Sequence, residues 1–223
     1  IIEVIGEMYL AGIIDTDGVV QGHLAARSPR IIQDGRTFSY VVTEADGVRL
    51  AITQNDVRAI QLAKAALRAG IDLLYQHAGV GEVHDIRLAG AFGSHIDPLY
   101  ALVLGLVPDC PVQCVRSVGN AAGAGAVRAL LSLAARAEME AAVRNVVKVE
   151  TATEPDFQAL FVAAMAFPHA TAPSPHLSQV VALPEQATSA TNAERGGRRR
   201  RRDQPASASV TTSTEPEPAI EEP

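Results

Sequence analysis

The strongest constraint in this 223-residue chain is the stretch from Thr53 to Gly79. Thr53 stands three residues ahead of Asp56, the spacing at which a hydroxyl and a carboxylate cap each other's backbone amides where a helix begins. Apolar residues then recur at Val57, Ile60, Leu62, Ala63, Ala66, Leu67, Leu73 and Leu74, and Gly79 supplies the stop. The pattern predicts one helix over residues 54–78, with Leu62, Ala63, Ala66 and Leu67 turned toward a core. Downstream, Asp85 to Leu88 reads as a short strand. Ala89-Gly90-Ala91-Phe92-Gly93-Ser94 turns tightly before a helix near Asp97-Pro98. Val112 to Val118 reads as a second strand, and Gly119 to Ala126 opens a helix that runs to about Ala135. Strands alternating with helices define a mixed α/β fold.

The flanks are weaker. Ile1 to Leu10 has the apolar spacing of a helix with one buried face, stopped by Ala11-Gly12. Asp15-Thr16-Asp17-Gly18 is turn chemistry, and the run to Gly35 reads as a connecting excursion. Phe38 to Thr43 and Val48 to Ile52 flank Ala45-Asp46-Gly47, a hairpin signal. A further helix, a strand near Val146 to Glu150 and a helix from Pro155 to Met165 are expected to finish the domain. No repeat of solenoid period occurs.

Composition sets the boundary. Hydrophobic residues crowd into positions 1–168, whereas 169–223 are dominated by Ala, Thr, Ser, Pro, Glu and Arg. The organisation predicted is one domain over 1–168 and a disordered tail over 169–223. Within 1–168 there are 13 Lys and Arg against 18 Asp and Glu, which argues against a nucleic-acid surface. The run Arg198 to Arg202 lacks interleaved aromatics and reads as part of the solvated tail. Cys110 and Cys114 lack a second half-site at metal-ligand spacing, so no metal site is expected and the thiols read as reduced. No apolar stretch reaches the roughly 18 residues needed to span a bilayer, and the expected location is cytoplasmic. The opening Ile1-Ile2-Glu3, without an initiator Met, suggests a piece of a longer product.

The chemistry rests on two places. In the turn after the 85–88 strand, glycines let backbone approach a flat ligand and leave amides free at the rim, although a plain strand-to-helix turn has the same composition. On the long helix, Gln61 and Lys64 lie one turn apart on one face, where they either meet a ribose or form a solvated polar face. Neither a Walker loop nor a dinucleotide fingerprint is present.

Three motifs in order, Ile52-Thr53-Gln54-Asn55-Asp56-Val57-Arg58 with Gln61 to Ile71, Leu88 to Gly93, and Val118 to Ala126, resemble the C-terminal domain of the reductive activators of corrinoid proteins. The resemblance extends to Gly12-Ile13-Ile14-Asp15, Pro155-Asp156-Phe157 and Ala164-Met165, and so spans roughly residues 1–168 as one fold unit. It implies part of an actin-like (ribonuclease H-like) ATPase lobe of the acetate and sugar kinase, heat-shock chaperone and actin superfamily. By that resemblance Gln61, Lys64, Gly90, Ala91, Phe92 and Gly93 are the adenosine-binding residues. Ala91 replaces a usual glycine, and Phe92 reads as a stacking partner for the base or as a buried hinge residue. The resemblance further implies ATP and Mg²⁺ as cofactors of the parent protein, a 2Fe-2S cluster in a separate N-terminal domain, and a corrinoid protein as partner. A homodimer is an assembly it allows. The superfamily's acidic phosphate hairpins and the four cluster cysteines do not occur in this sequence, so the chain alone is expected to be inactive. A sugar-kinase-like or chaperone-like phosphotransferase and a non-catalytic binding module are the alternatives.

Overall fold

A computed structural model describes residues 1–184 of the chain. The Arg198 to Arg202 run and the rest of 185–223 lie outside the described residues, as does the Phe92 side chain.

Helix α1 (Ile2–Leu10) buries Ile2, Ile5 and Tyr9, the i, i+3, i+7 face read from its sequence, and ends where Gly12 adopts φ +68°. The next segment departs from expectation. Instead of a plain excursion it carries a short 3₁₀ turn (Gly22–Ala26) and a strand, β1 (Ile31–Asp34), which pairs antiparallel with β2 (Thr37–Ala45). Four residues are too short a run to show period-two alternation, which is why β1 escapes a pattern reading. Strand β3 (Val48–Ile52) completes the expected hairpin through Asp46-Gly47, both at positive φ (53° and 77°), as a two-residue turn requires.

Helix α2 (Gln54–Ala78) has the predicted bounds. The Asp56 N–H donates to Thr53 Oγ1 at 3.1 Å and the Thr53 N–H to Asp56 Oδ2 at 2.8 Å, a reciprocal cap that also holds the Asp56 carboxyl below its ordinary pKa. Gly79 closes the helix at φ +64°. Its buried face, however, is not the predicted one. Gln61, Lys64, Ala65, Arg68 and Ala69 point inward, whereas Leu62, Ala63, Ala66 and Leu67 are exposed. The reason lies across the interface. The backbone opposite offers unpaired carbonyls, which an apolar side chain cannot satisfy.

Strand β4 (Ile86–Ala89) leads into a single helical turn, α3 (Gly90–Gly93), and then α4 (Pro98–Val103), whose first turn is capped by Asp97. A 3₁₀ turn (Val112–Cys114) shortens the predicted second strand to β5 (Val115–Gly119), parallel to β4. Helix α5 (Ala121–Leu131) stops at Ser132, which turns extended and caps α6 (Leu133–Arg144) by accepting from the Ala135 N–H at 3.2 Å. The predicted run to Ala135 is thus two helices. No strand forms at 146–150, and α7 (Phe157–Ala163) occupies the core of the predicted 155–165 helix and packs on α2.

The core joins α1, the 101–107 segment, Val57 and Phe167, with Ile5, Tyr9, Ile14, Val103 and Leu104 fully buried. The expected boundary at 168 needs correction. His169 and Leu177 are buried, and Asp109 accepts from the His176 and Leu177 amides at 2.8 and 3.0 Å. Residues 169–184, assigned to the tail by composition, include a segment packed on the domain. Burying one leucine is worth about 1.5–3 kcal/mol, enough to tie down a short polar stretch that composition alone reads as loose.

Candidate functional site

The parallel strands β4 and β5 end side by side, Ala89 opposite Gly119. At that edge β4 passes into Gly90 at φ +92° and β5 ends in Gly119 at φ +63°, both in the left-handed region that favours glycine. A Cβ built at either position meets nothing within 4 Å, so both backbones face open space. Gly93 has a different task, since a Cβ there would lie 3.0 Å from the Leu88 carbonyl carbon. Its absence lets the turn fold back onto its own strand. The Ser94 N–H closes the turn onto the Gly90 carbonyl at 3.0 Å, and the Ser94 hydroxyl donates to the Ala91 carbonyl at 2.7 Å. Beside it, Asn120 Oδ1 accepts from the Gly123 N–H at 2.9 Å and starts α5. Two glycine turns and one helix start therefore share the carboxyl edge of a parallel pair, the place where open α/β sheets receive ligands. At the opposite end Asp85 binds Arg87 and Arg116 on the two strands and pins their register. Those two guanidinium bonds, Arg116 first, hold the Asp85 carboxyl below its ordinary range.

Gly90, Ala91 and Gly93 stand where the sequence places them. Gly119 and Asn120 were not among the predicted site residues. Their signal is a glycine directly after an apolar strand and ahead of a capping Asn.

Gln61 and Lys64 share one face, but it is neither solvated nor joined to that edge by their hydrogen bonds. Both are almost completely buried. Gln61 Nε2 donates to the Asp17 and Met165 carbonyls at 2.9 and 3.1 Å. Lys64 Nζ donates to the Ala166 carbonyl and, at 2.9 Å, to that of Pro168, and stands 5.0 Å from the Phe167 ring centroid. Burial, with Arg68 nearby, lowers the Lys64 pKa to about 7. The next turn of α2 continues the theme. Arg68 pairs with Asp72 at 2.9 Å, and Asp72 lies 3.9 Å from His169 Nε2. His169 Nδ1 accepts from the Thr171 and Ala172 amides, which leaves its proton on Nε2, and burial brings its pKa down to about 4. Gln61 and Lys64 on this face of α2 are donors fastening residues 165–168, while Arg68 reaches the Val107 carbonyl at 3.4 Å. An adenosine contact from Gln61 or Lys64 would require those bonds to be given up.

A second cleft of about 420 Å³ lies between Arg68, Asp72 and Tyr75 of α2 and the loops carrying Cys110, Cys114 and His176. Both thiols are free, and burial pushes that of Cys110 up. Among the described residues no group of three His, Cys, Asp or Glu side chains is placed to hold a metal ion. Nor is any helix among them long and apolar enough to cross a membrane.

The α/β layers, with glycine turns at the carboxyl edge of parallel strands, define an open α/β ligand-binding lobe. Residues 1–178 match the model of the C-terminal domain of RACo, the ASKHA domain, and the chain belongs to that family. It is 34% identical over 168 residues to the "Corrinoid activation enzyme RamQ" of Eubacterium limosum, an alignment covering 70% of this chain and 28% of the relative. It superposes with a TM-score of 0.67 and 28% identity on a solved "Reductive activator for corrinoid, iron-sulfur protein", covering 75% of this chain and 27% of that one. The chain therefore spans little more than a quarter of the length of either relative.

Proposed function

We propose that this chain is the adenosine-holding part of an ATP-dependent activator whose parent protein reduces a cobalt(II) corrinoid protein to the cobalt(I) state in the cytoplasm. The observation that carries the reading is the pair of open glycine turns at Gly90 and Gly119, side by side on one sheet edge, in a member of a family whose relatives are named for corrinoid activation. Backbone amides and a small-residue rim suit a flat purine and its ribose. Gln61 and Lys64 take a supporting part in this reading. They hold α2 to the 165–168 segment rather than touch the nucleoside.

ATP would act by population shift, binding a closed state of the parent better than an open one and so favouring the arrangement that meets the corrinoid partner. The described residues offer no acidic set for Mg²⁺, and two cysteines do not make the four-thiolate set of a 2Fe-2S cluster. Both are assigned to other segments of the parent, and the electron enters from there. Calorimetric titration of this chain with ATP and with adenosine tests the reading. Weak and nearly equal binding is expected, abolished by Gly90→Val in a variant whose melting curve shows it folded, with no ATPase above background. A preference for ATP over adenosine of more than tenfold in this chain would overturn the assignment of the phosphate site elsewhere. Unchanged binding in the folded Gly90→Val variant would overturn the adenosine edge itself.

A further inference from the structure

Cys110 and Cys114 flank Pro111-Val112-Gln113 immediately ahead of β5. A 3₁₀ turn folds this stretch back, with the Cys114 N–H donating to the Pro111 carbonyl at 2.8 Å. Such a turn holds its ends within about 7 Å, which is also the upper limit for Cα atoms joined by a disulfide, and Cys110 stands one residue beyond it. Both side chains line the cleft of about 420 Å³ against α2, and a charge on Cys114 is close enough to oppose ionisation of Cys110. Their access differs. Cys110 is 5% exposed and belongs to the core, whereas Cys114 is half-buried at the cleft wall. Among the described residues no His, Cys, Asp or Glu completes a metal-holding group of three with them.

We infer that Cys110 and Cys114 form a redox-sensitive pair in which Cys114 takes up a low-molecular-weight disulfide and Cys110 resolves it into an internal bridge. The Cys114 thiolate attacks one sulfur of the reagent, whose S–S bond breaks; one half leaves as a thiolate and the other stays on Cys114. Cys110 then loses its thiol proton to solvent and attacks the Cys114 sulfur, the internal S–S bond forms, and the second half leaves as a thiolate. The protein gives up two electrons and two protons, and the reagent becomes two thiols. The order follows from access. The half-buried thiol meets the reagent, whereas burial, with the charges of Cys114 and Asp109, keeps the proton on Cys110 until its target stands beside it. With His84 and His176 neutral, Asp72, Glu82 and Asp109 outnumber the single guanidinium of Arg68 in the cleft, so a neutral disulfide is the reagent class that enters. In the cytoplasm proposed above such a bridge is transient, the behaviour of a sensor rather than of a structural staple.

The test exposes the full chain, first reduced, to bis(2-hydroxyethyl) disulfide and follows it by intact-mass spectrometry after acid quenching. Wild type should lose the mass of two hydrogens, keep no reagent, and recover its mass on addition of dithiothreitol. Cys110→Ala, which keeps the buried position apolar, should hold one reagent half at Cys114. A measurement without any variant guards against misfolding. In the folded wild type, N-ethylmaleimide should label Cys114 at least about tenfold faster than Cys110, and the difference should shrink to about threefold or less in urea. A reagent half that persists on wild type, a disulfide joining two chains, no reaction at all, or equal labelling of the two thiols in the folded protein would each overturn the proposal.

Discussion

Replacing Lys64 by methionine keeps most of the side-chain volume and removes the donor that serves the Ala166 and Pro168 carbonyls. Each buried carbonyl left without a partner costs about 1–3 kcal/mol, so the loss is about 2–6 kcal/mol when the wild-type amine is neutral. One opposing effect must be set against it. The folded state lowers the Lys64 pKa from 10.5 to about 7, chiefly by burial, so below pH 7 wild-type folding carries the full burden of an enclosed ammonium. Between pH 7 and 10.5 the unfolded chain binds the extra proton, and wild-type stability attributable to this residue rises with pH across that window. Methionine has no such dependence. Its deficit should therefore be smallest at pH 6 and grow toward pH 9.5, where it should reach several kcal/mol. In a domain of this size about 1 kcal/mol corresponds to about 2–4 °C in melting temperature, so Tm should fall by about 5–10 °C at pH 9.5. Urea unfolding of both proteins at pH 6, 7.5 and 9.5 measures it. A Lys64→Met variant as stable as wild type at pH 9.5, with no pH trend in the difference, would mean that Lys64 is solvated as a ribose-facing residue would be. The fastening role would then be wrong.

Two further outcomes follow from the packing of the 165–184 segment. Leu177→Ala should lower stability by about 2–4 kcal/mol, because Leu177 is 1% exposed and joins the core; near-wild-type melting would return residues 169–184 to the tail. His169 should titrate near pH 4 by NMR. Because its folded pKa lies below the unfolded value near 6.5, acidification from pH 6.5 toward 4 should destabilise the wild type more than His169→Gln, and parallel acid unfolding curves would refute the burial argument.

What the sequence determined by itself is what depends on neighbours along the chain. Helix α2 was readable because its cap, its stripe and its stop lie within 27 residues, and a capping box closes through bonds three residues apart. The β2–β3 hairpin was readable from Asp46-Gly47, and the glycine turn after β4 from its composition, since positive φ is a local demand met by glycine. The orientation of α2 was not readable. A helix with polar and apolar residues on both sides does not say which side is inner, and hydrophobicity pointed to Leu62 and Leu67. The inner side was decided by carbonyls of residues 165–168, about a hundred positions away, which need donors that Gln61 and Lys64 supply. The same reason moved the domain boundary, because Leu177 acquires its value only against a core assembled from α1 and the 101–107 segment. It also placed Gly119 beside Gly90, since a parallel pairing joins residues 30 apart and no local pattern records which strands will meet. Local bonds are written in local sequence, whereas burial and the pairing of distant backbone groups exist only once the chain has closed on itself.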